Sequence, residues 1–117
     1  MNDEMKLCVT GAGGLIGSHL VTYLKRLGYW VRGVDIKYPE FSPSQADEFL
    51  LLDLREYQNC IDAIKGTQEV FHLAADMGGI GWITVEHAQA ATNNVRIDVS
   101  MLRAADHFNV DRFFYSS

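Results

Sequence analysis

The chain predicts a doubly wound α/β fold: a parallel sheet in strand order 3-2-1-4-5 with helices on both faces. Two observations carry that expectation. A short apolar run, Lys6-Leu7-Cys8-Val9, passes straight into Thr10-Gly11-Ala12-Gly13-Gly14-Leu15-Ile16-Gly17 and then into an amphipathic stretch. A second apolar-rich run, Tyr29-Trp30-Val31-Arg32-Gly33-Val34, ends on an acid, Asp35.

The remaining elements follow in strict alternation. Leu20, Val21, Leu24 and Leu27 form one apolar stripe of a first helix, and Gly28 is placed to close it with a left-handed cap. Residues 37–47 hold both prolines and read as a loop. A third strand, Glu48-Phe49-Leu50-Leu51-Leu52, leads to Asp53-Leu54-Arg55. Helical spacing returns at Tyr57, Cys60, Ile61 and Ile64 and stops at Gly66. A fourth strand covers Glu69 to Ala74 and precedes the glycine-rich Asp76-Met77-Gly78-Gly79-Ile80-Gly81. A long helix is expected from about Thr84 to Phe108, and Arg112-Phe113-Phe114-Tyr115 begins a fifth strand. No repeat or low-complexity segment interrupts the series.

A strand, a glycine turn and a helix start, in that order, deliver backbone N–H groups to a pyrophosphate. Gly11 permits the tight turn, Gly14 leaves room for phosphate, and Gly17 lets the helix lie against the sheet. The G-x-G-x-x-G spacing fails because its third glycine would fall at Ile16. The P-loop spacing fails because no Lys-Ser or Lys-Thr pair follows. The spacing that fits is T-G-x-x-G-x-x-G. Asp35 lies where a dinucleotide site needs a carboxylate for the two adenosine ribose hydroxyls, which favours NAD over NADP; Lys37 nearby softens that preference. The plain alternative is a structural turn whose glycines serve packing only.

Bulk properties narrow the class. At 117 residues and 48% hydrophobic, the chain reads as one domain with a real core. A net charge of −5, with no basic patch, argues against nucleic acid or an anionic membrane as partner. No apolar run approaches a spanning helix, and the acidic start is unlike a signal peptide. Two cysteines, Cys8 and Cys60, are expected as buried thiols in a reducing, cytoplasmic compartment. The four histidines show no metal-ligand spacing. His72 reads as a satisfied core residue, and His19 and His87 as solvated helix positions.

T-G-x-x-G-x-x-G, Asp35, Asp53-Leu54 and His72-Leu73-Ala74-Ala75 together resemble the extended short-chain dehydrogenase/reductases, the NAD-dependent sugar-nucleotide epimerases and dehydratases. The resemblance covers the whole chain. The string Ala74-Ala75-Asp76-Met77-Gly78-Gly79-Ile80-Gly81, with Asn93-Asn94 and Arg112-Phe113-Phe114-Tyr115-Ser116, is most similar to the GDP-mannose 3,5-epimerase branch. The resemblance implies that Gly11, Gly14 and Gly17, with the N–H groups of Leu15 and Ile16, bind pyrophosphate, and that Asp35 binds ribose. It implies that Asp53 meets the adenine amino group while Leu54 packs on the ring or offers its N–H. It places Leu73, Ala74 and Ala75 along the ribose and nicotinamide, and Met77 and Gly78 toward the sugar. Plain alternatives stay open: Leu73 to Ala75 as the end of a buried strand, and Asp53 as a helix cap.

The sequence departs from the family in its chemistry. No tyrosine precedes a lysine by four residues, so the Tyr-x-x-x-Lys pair that the family uses is absent from these residues. The chain is therefore expected to be the NAD-binding N-terminal portion of such an enzyme, cut after the fifth strand, with no catalytic residue of its own and inactive alone. A 4-epimerase or 4,6-dehydratase fragment, or a non-catalytic dinucleotide-binding module, remains the alternative. The implied partners are a nucleotide sugar in the full enzyme and further copies of the chain. Apolar residues of the long helix (Val85, Ala88, Val95, Val99, Leu102, Ala105) and the aromatic fifth strand suggest a dimer or higher oligomer.

Overall fold

The computed structural model describes residues 5–74 and 85–115, with side chains of the last helix described from Asn94 onward. Five strands and three helices alternate: β1 (Lys6–Thr10), α1 (Leu15–Arg26), β2 (Trp30–Asp35), β3 (Glu48–Leu51), α2 (Tyr57–Ile64), β4 (Glu69–His72), α3 (Val85–His107) and β5 (Arg112–Tyr115). All strand pairs are parallel and the order is β3-β2-β1-β4-β5, as the sequence predicts. The chain reverses direction across the sheet between β1 and β4, so their carboxyl ends flank the crevice where doubly wound folds bind ligands.

Alternation along the strands builds two cores. Leu7, Val9 and Val31 point to one face and pack with Ala12, Val21 and Leu24 at α1. Cys8, Val34 and Val70 point to the other, against Cys60, Ala63 and Ile64 of α2 and Ile97, Met101 and Ala104 of α3. A sheet buried on both faces needs apolar residues at successive positions, which is why β1 reads as a near-continuous apolar run.

Several boundaries differ from expectation. Helix α1 ends at Arg26, and Leu27 is an exposed C-cap rather than part of the buried stripe. Gly28 then takes φ +93°, the left-handed value the cap requires. Strand β4 stops at His72, two residues before Ala74, because the next two amides leave the ladder for a side chain described below. The apolar residues of α3 split between two faces. Ala105 is buried with Ile97, Met101 and Ala104, whereas Val95, Val99 and Leu102 are exposed. Val85 and Ala88 lie outside the described side chains, as does His87; His19 is exposed as expected.

The loop between β2 and β3 is pinned at its end. The Asp47 carboxylate accepts from the Lys25 ammonium at 2.8 Å and from the Val31 N–H at 2.7 Å, and the Asp47 N–H donates to the Val31 carbonyl at 2.9 Å. Burial opposes ionisation of this carboxyl, but the Lys25 ammonium and the Val31 amide outweigh it and hold its pKa below the usual value.

Candidate dinucleotide site

The glycine turn is shaped by what surrounds it. Gly11 has φ +71°, and a Cβ there would lie 2.9 Å from the Leu73 carbonyl carbon. Only glycine lets the carboxyl ends of β1 and β4 come this close while the chain turns left-handed. A Cβ on Gly17 would collide with the Gly11 carbonyl oxygen, and one on Gly13 with the Lys37 carbonyl oxygen. Gly13 was not among the sequence-derived site residues; its tightness comes from the loop after β2, which no local motif reveals.

Gly14 is different. A Cβ there would meet only the Gly11 carbonyl oxygen, at 3.4 Å, an ordinary contact. The protein itself therefore does not demand glycine at the helix N-cap. Gly14 also supplies no capping side chain, and the first turn of α1 carries no acid. The first N–H groups of any helix have no intrahelical acceptor, so Leu15 and Ile16 open α1 with donors aimed outward and partial positive charge behind them. Both side chains are exposed beside this opening. A cradle with no side-chain cap, no acid and room for one carbon fits a pyrophosphate.

Asp35 closes the other side. One carboxylate oxygen accepts from the Gly13 N–H at 2.8 Å and the other from the Ile36 N–H at 2.6 Å. Each oxygen retains acceptor capacity for a further hydroxyl. The carboxylate is thus oriented by main chain and remains able to receive a ribose diol. Beside the turn lies a cavity of about 430 Å³ whose lining includes Gly13, Gly14, Ser18, His19, Lys37 and Phe41.

After β3, Asp53 is engaged by its own neighbour. Its oxygens accept from the Arg55 backbone N–H at 3.0 Å and from the Arg55 guanidinium at 2.7 Å. The Arg55 guanidinium holds its pKa below the usual range, with the Arg55 amide adding to the effect. The Asn59 side chain donates to the Asp53 carbonyl at 2.9 Å, so the residue also steadies the entry to α2. The Leu54 side chain is buried in the α2/α3 core and its carbonyl accepts from the Cys60 thiol at 3.2 Å, so the side chain is not available to pack on a ring and only the main-chain N–H of the two expected groups remains.

At the end of β4 the sequence reading missed a network. The Thr10 hydroxyl oxygen accepts from the Leu73 and Ala74 amides, each at 3.0 Å, and sits 2.8 Å from His72 Nδ1. The other ring nitrogen of His72 lies 2.8 Å from Asp98 of α3, whose second oxygen accepts from the Tyr115 hydroxyl of β5 at 2.9 Å. His72 is fully buried, as expected of a satisfied core histidine, and burial holds its pKa below the ordinary value despite Asp98. Asp98 carried no sequence signal of its own, and Tyr115 was legible only as part of the fifth strand and the string that resembles the family, not as a partner of His72. Ala75, Met77 and Gly78 lie outside the described residues.

The model of the NAD dependent epimerase/dehydratase family matches residues 7–117. The chain belongs to that family. GDP-mannose 3,5-epimerase of Arabidopsis thaliana is 42% identical over 118 residues, covering 99% of this chain and 31% of that protein. The chain therefore spans about a third of the length of the curated relatives it matches. Among solved structures, a short-chain dehydrogenase/reductase superfamily protein from Agrobacterium tumefaciens with bound NAD superposes with a TM-score of 0.77 at 34% identity, over 97% of this chain and 33% of that one. UDP-glucose 4-epimerase from Thermotoga maritima, with UDP-glucose, gives 0.79 at 27% identity, over 93% and 36%. Among the described residues no helix is long and apolar enough to cross a membrane, and no three potential metal ligands lie together.

Proposed function

We propose that this chain binds NAD for a nucleotide-sugar epimerase of the GDP-mannose 3,5-epimerase type. The uncapped start of α1 beside the main-chain-oriented carboxylate of Asp35 carries the reading, and the identity to the Arabidopsis enzyme supports the branch. When bound, NAD supplies a reversible hydride acceptor for a sugar hydroxyl. Leu15 and Ile16 N–H groups hold the pyrophosphate, and Asp35 receives the adenosine ribose. Asp53 and the Leu54 main chain lie toward the adenine, with Arg55 setting the carboxylate's direction. The backbone of Leu73, Ala74 and Ala75 is proposed to line the ribose and nicotinamide. Met77 and Gly78 are proposed to face the sugar of the nucleotide substrate.

No residue here is assigned to move protons on the sugar. Residues 1–117 alone are proposed to be inactive, since no Tyr-x-x-x-Lys pair is present to take the hydroxyl proton. The exposed Val95, Val99 and Leu102 are proposed to meet a second copy of the chain, and the two buried thiols fit a cytoplasmic setting.

Calorimetry with NAD and ADP-ribose tests the reading. Saturable binding of both, weakened by Asp35→Ala, is the expected result. No heat with either at millimolar concentration overturns it. Conversion of GDP-mannose by residues 1–117 above a no-protein control would overturn the assignment of these residues to cofactor binding alone.

A further inference from the structure

The hydrogen bonds around Thr10 fix a proton. A threonine hydroxyl has one donor and two acceptor directions. The Leu73 and Ala74 amides take both acceptor directions, so the O–H must donate to His72 Nδ1. Nδ1 is then unprotonated, and the ring proton sits on Nε2, facing Asp98 at 2.8 Å. Strand register explains the geometry: Thr10 pairs with His72, and His72 with Tyr115, so the three residues form one row across β1, β4 and β5. Helix α3 lays Asp98 over that row.

We propose that His72 and Asp98 are positioning residues of the crevice: Asp98 holds the Nε2–H tautomer of His72, and His72 Nδ1 turns the Thr10 hydroxyl so that its lone pairs tie down the Leu73 and Ala74 amides. This ends β4 at His72 and sets the wall between β1 and β4. Protonation of His72 would place a second N–H against an oxygen whose acceptor directions are both taken. The hydroxyl would then release one of the two amides. Among the described residues, the titratable groups that face the ring are Asp98 from α3, bonded to Nε2, and Tyr115 from β5; Thr10 from β1 bonds Nδ1 and the Phe113 ring lies 5.8 Å away.

The consequence for ligand binding rests on the NAD reading above, so the test has one arm independent of it. Imidazole ¹⁵N spectra at pH 7 should show a neutral His72 protonated on Nε2; an Nδ1–H or charged ring overturns the proposal. Asp98→Leu should speed hydrogen exchange at the Leu73 and Ala74 amides and weaken NAD binding by about three- to tenfold, the loss of one hydrogen bond. Asp98→Asn keeps an acceptor for Nε2–H and should rescue both. Folded Asp98→Leu with unchanged exchange at these amides overturns the proposal whether or not NAD binds. Should Asp98→Leu fail to fold, the wild-type protection factors of the two amides, corrected for the pH dependence of intrinsic exchange, must fall as His72 takes up its proton, and a flat profile overturns the proposal. If no wild-type NAD binding is detected, the functional reading fails while the tautomer and exchange arms still decide this one.

Discussion

The main-chain N–H of Gly13 donates to Asp35 Oδ2 at 2.8 Å across twenty-two residues of sequence. The glycine turn and the Asp35 carboxylate are therefore one preorganised unit, and on the proposed NAD reading the carboxylate does not have to be ordered when ligand arrives.

Asp35→Ala should weaken NAD binding by about 1–3 kcal/mol, the cost of removing a charged hydrogen-bond partner. It should also narrow the preference for NAD over NADP, since the charge that repels a 2′-phosphate is gone. Paired titrations of both dinucleotides with wild type and variant measure the two effects. Unchanged affinity would remove Asp35 from the site.

Glycine substitutions should separate folding from binding. Gly14→Ala adds a carbon with one ordinary contact, so thermal stability should stay near wild type while NAD affinity drops. Gly17→Ala drives a carbon into the Gly11 carbonyl and should lower the melting temperature outright. A Gly14→Ala variant that binds NAD normally would mean the pyrophosphate lies elsewhere.

These glycines also show what a sequence discloses. Thr10-Gly11, Gly14 and Gly17 were legible because a turn between a strand and a helix leaves its spacing in the chain. Gly13 was not, because the atom that crowds it belongs to Lys37, just past the carboxyl end of β2 and twenty-four residues away in sequence. The whole sheet order followed from alternation and handedness. The Thr10, His72, Asp98 and Tyr115 row did not, since only strand register brings residues from β1, β4 and β5 under one turn of α3. The exposure of Leu27 escaped for a local reason: its apolar period continues the stripe, but the Gly28 cap already turns the backbone away.

Stability should fall in two separate acid steps. His72 has a native pKa below its ordinary 6.5, so the unfolded chain takes up the proton first. Its contribution is complete above 6.5 and is lost as pH falls through the native value. Asp47 and Asp53, held below 3.8, add contributions that persist through that window and are lost only below 3.8. Urea midpoints from pH 8 to 3 should show the first decline starting near 6.5. Its absence would mean that His72 titrates alike in the folded and unfolded chain.

Both thiols should be silent in the folded protein. Burial pushes Cys8 up to about 12 and Cys60 up to about 11, with the Cys60 thiol also donating to the Leu54 carbonyl at 3.2 Å. The thiolate is the reactive form, so a thiol reagent at pH 8 should label neither until denaturant is added. The same shifts make the native state lose stability above pH 9, where the unfolded thiols ionise and the folded ones do not. Rapid native labelling of Cys8 would contradict a closed sheet–helix core.

Val95, Val99 and Leu102 stand at 62%, 50% and 51% exposure, at spacings of four and three residues, so they share one face of α3. Opposite them, Ile97, Met101 and Ala104 are buried on the sheet, which fixes the helix orientation and leaves the second apolar face outward. Sedimentation of the 117-residue chain should therefore reveal association beyond the monomer. Val99→Glu should shift it toward monomer without lowering the melting temperature, because the substituted side chain leaves neither core. A wild type that stays monomeric at high concentration would show that this face does not bind a second copy of the chain.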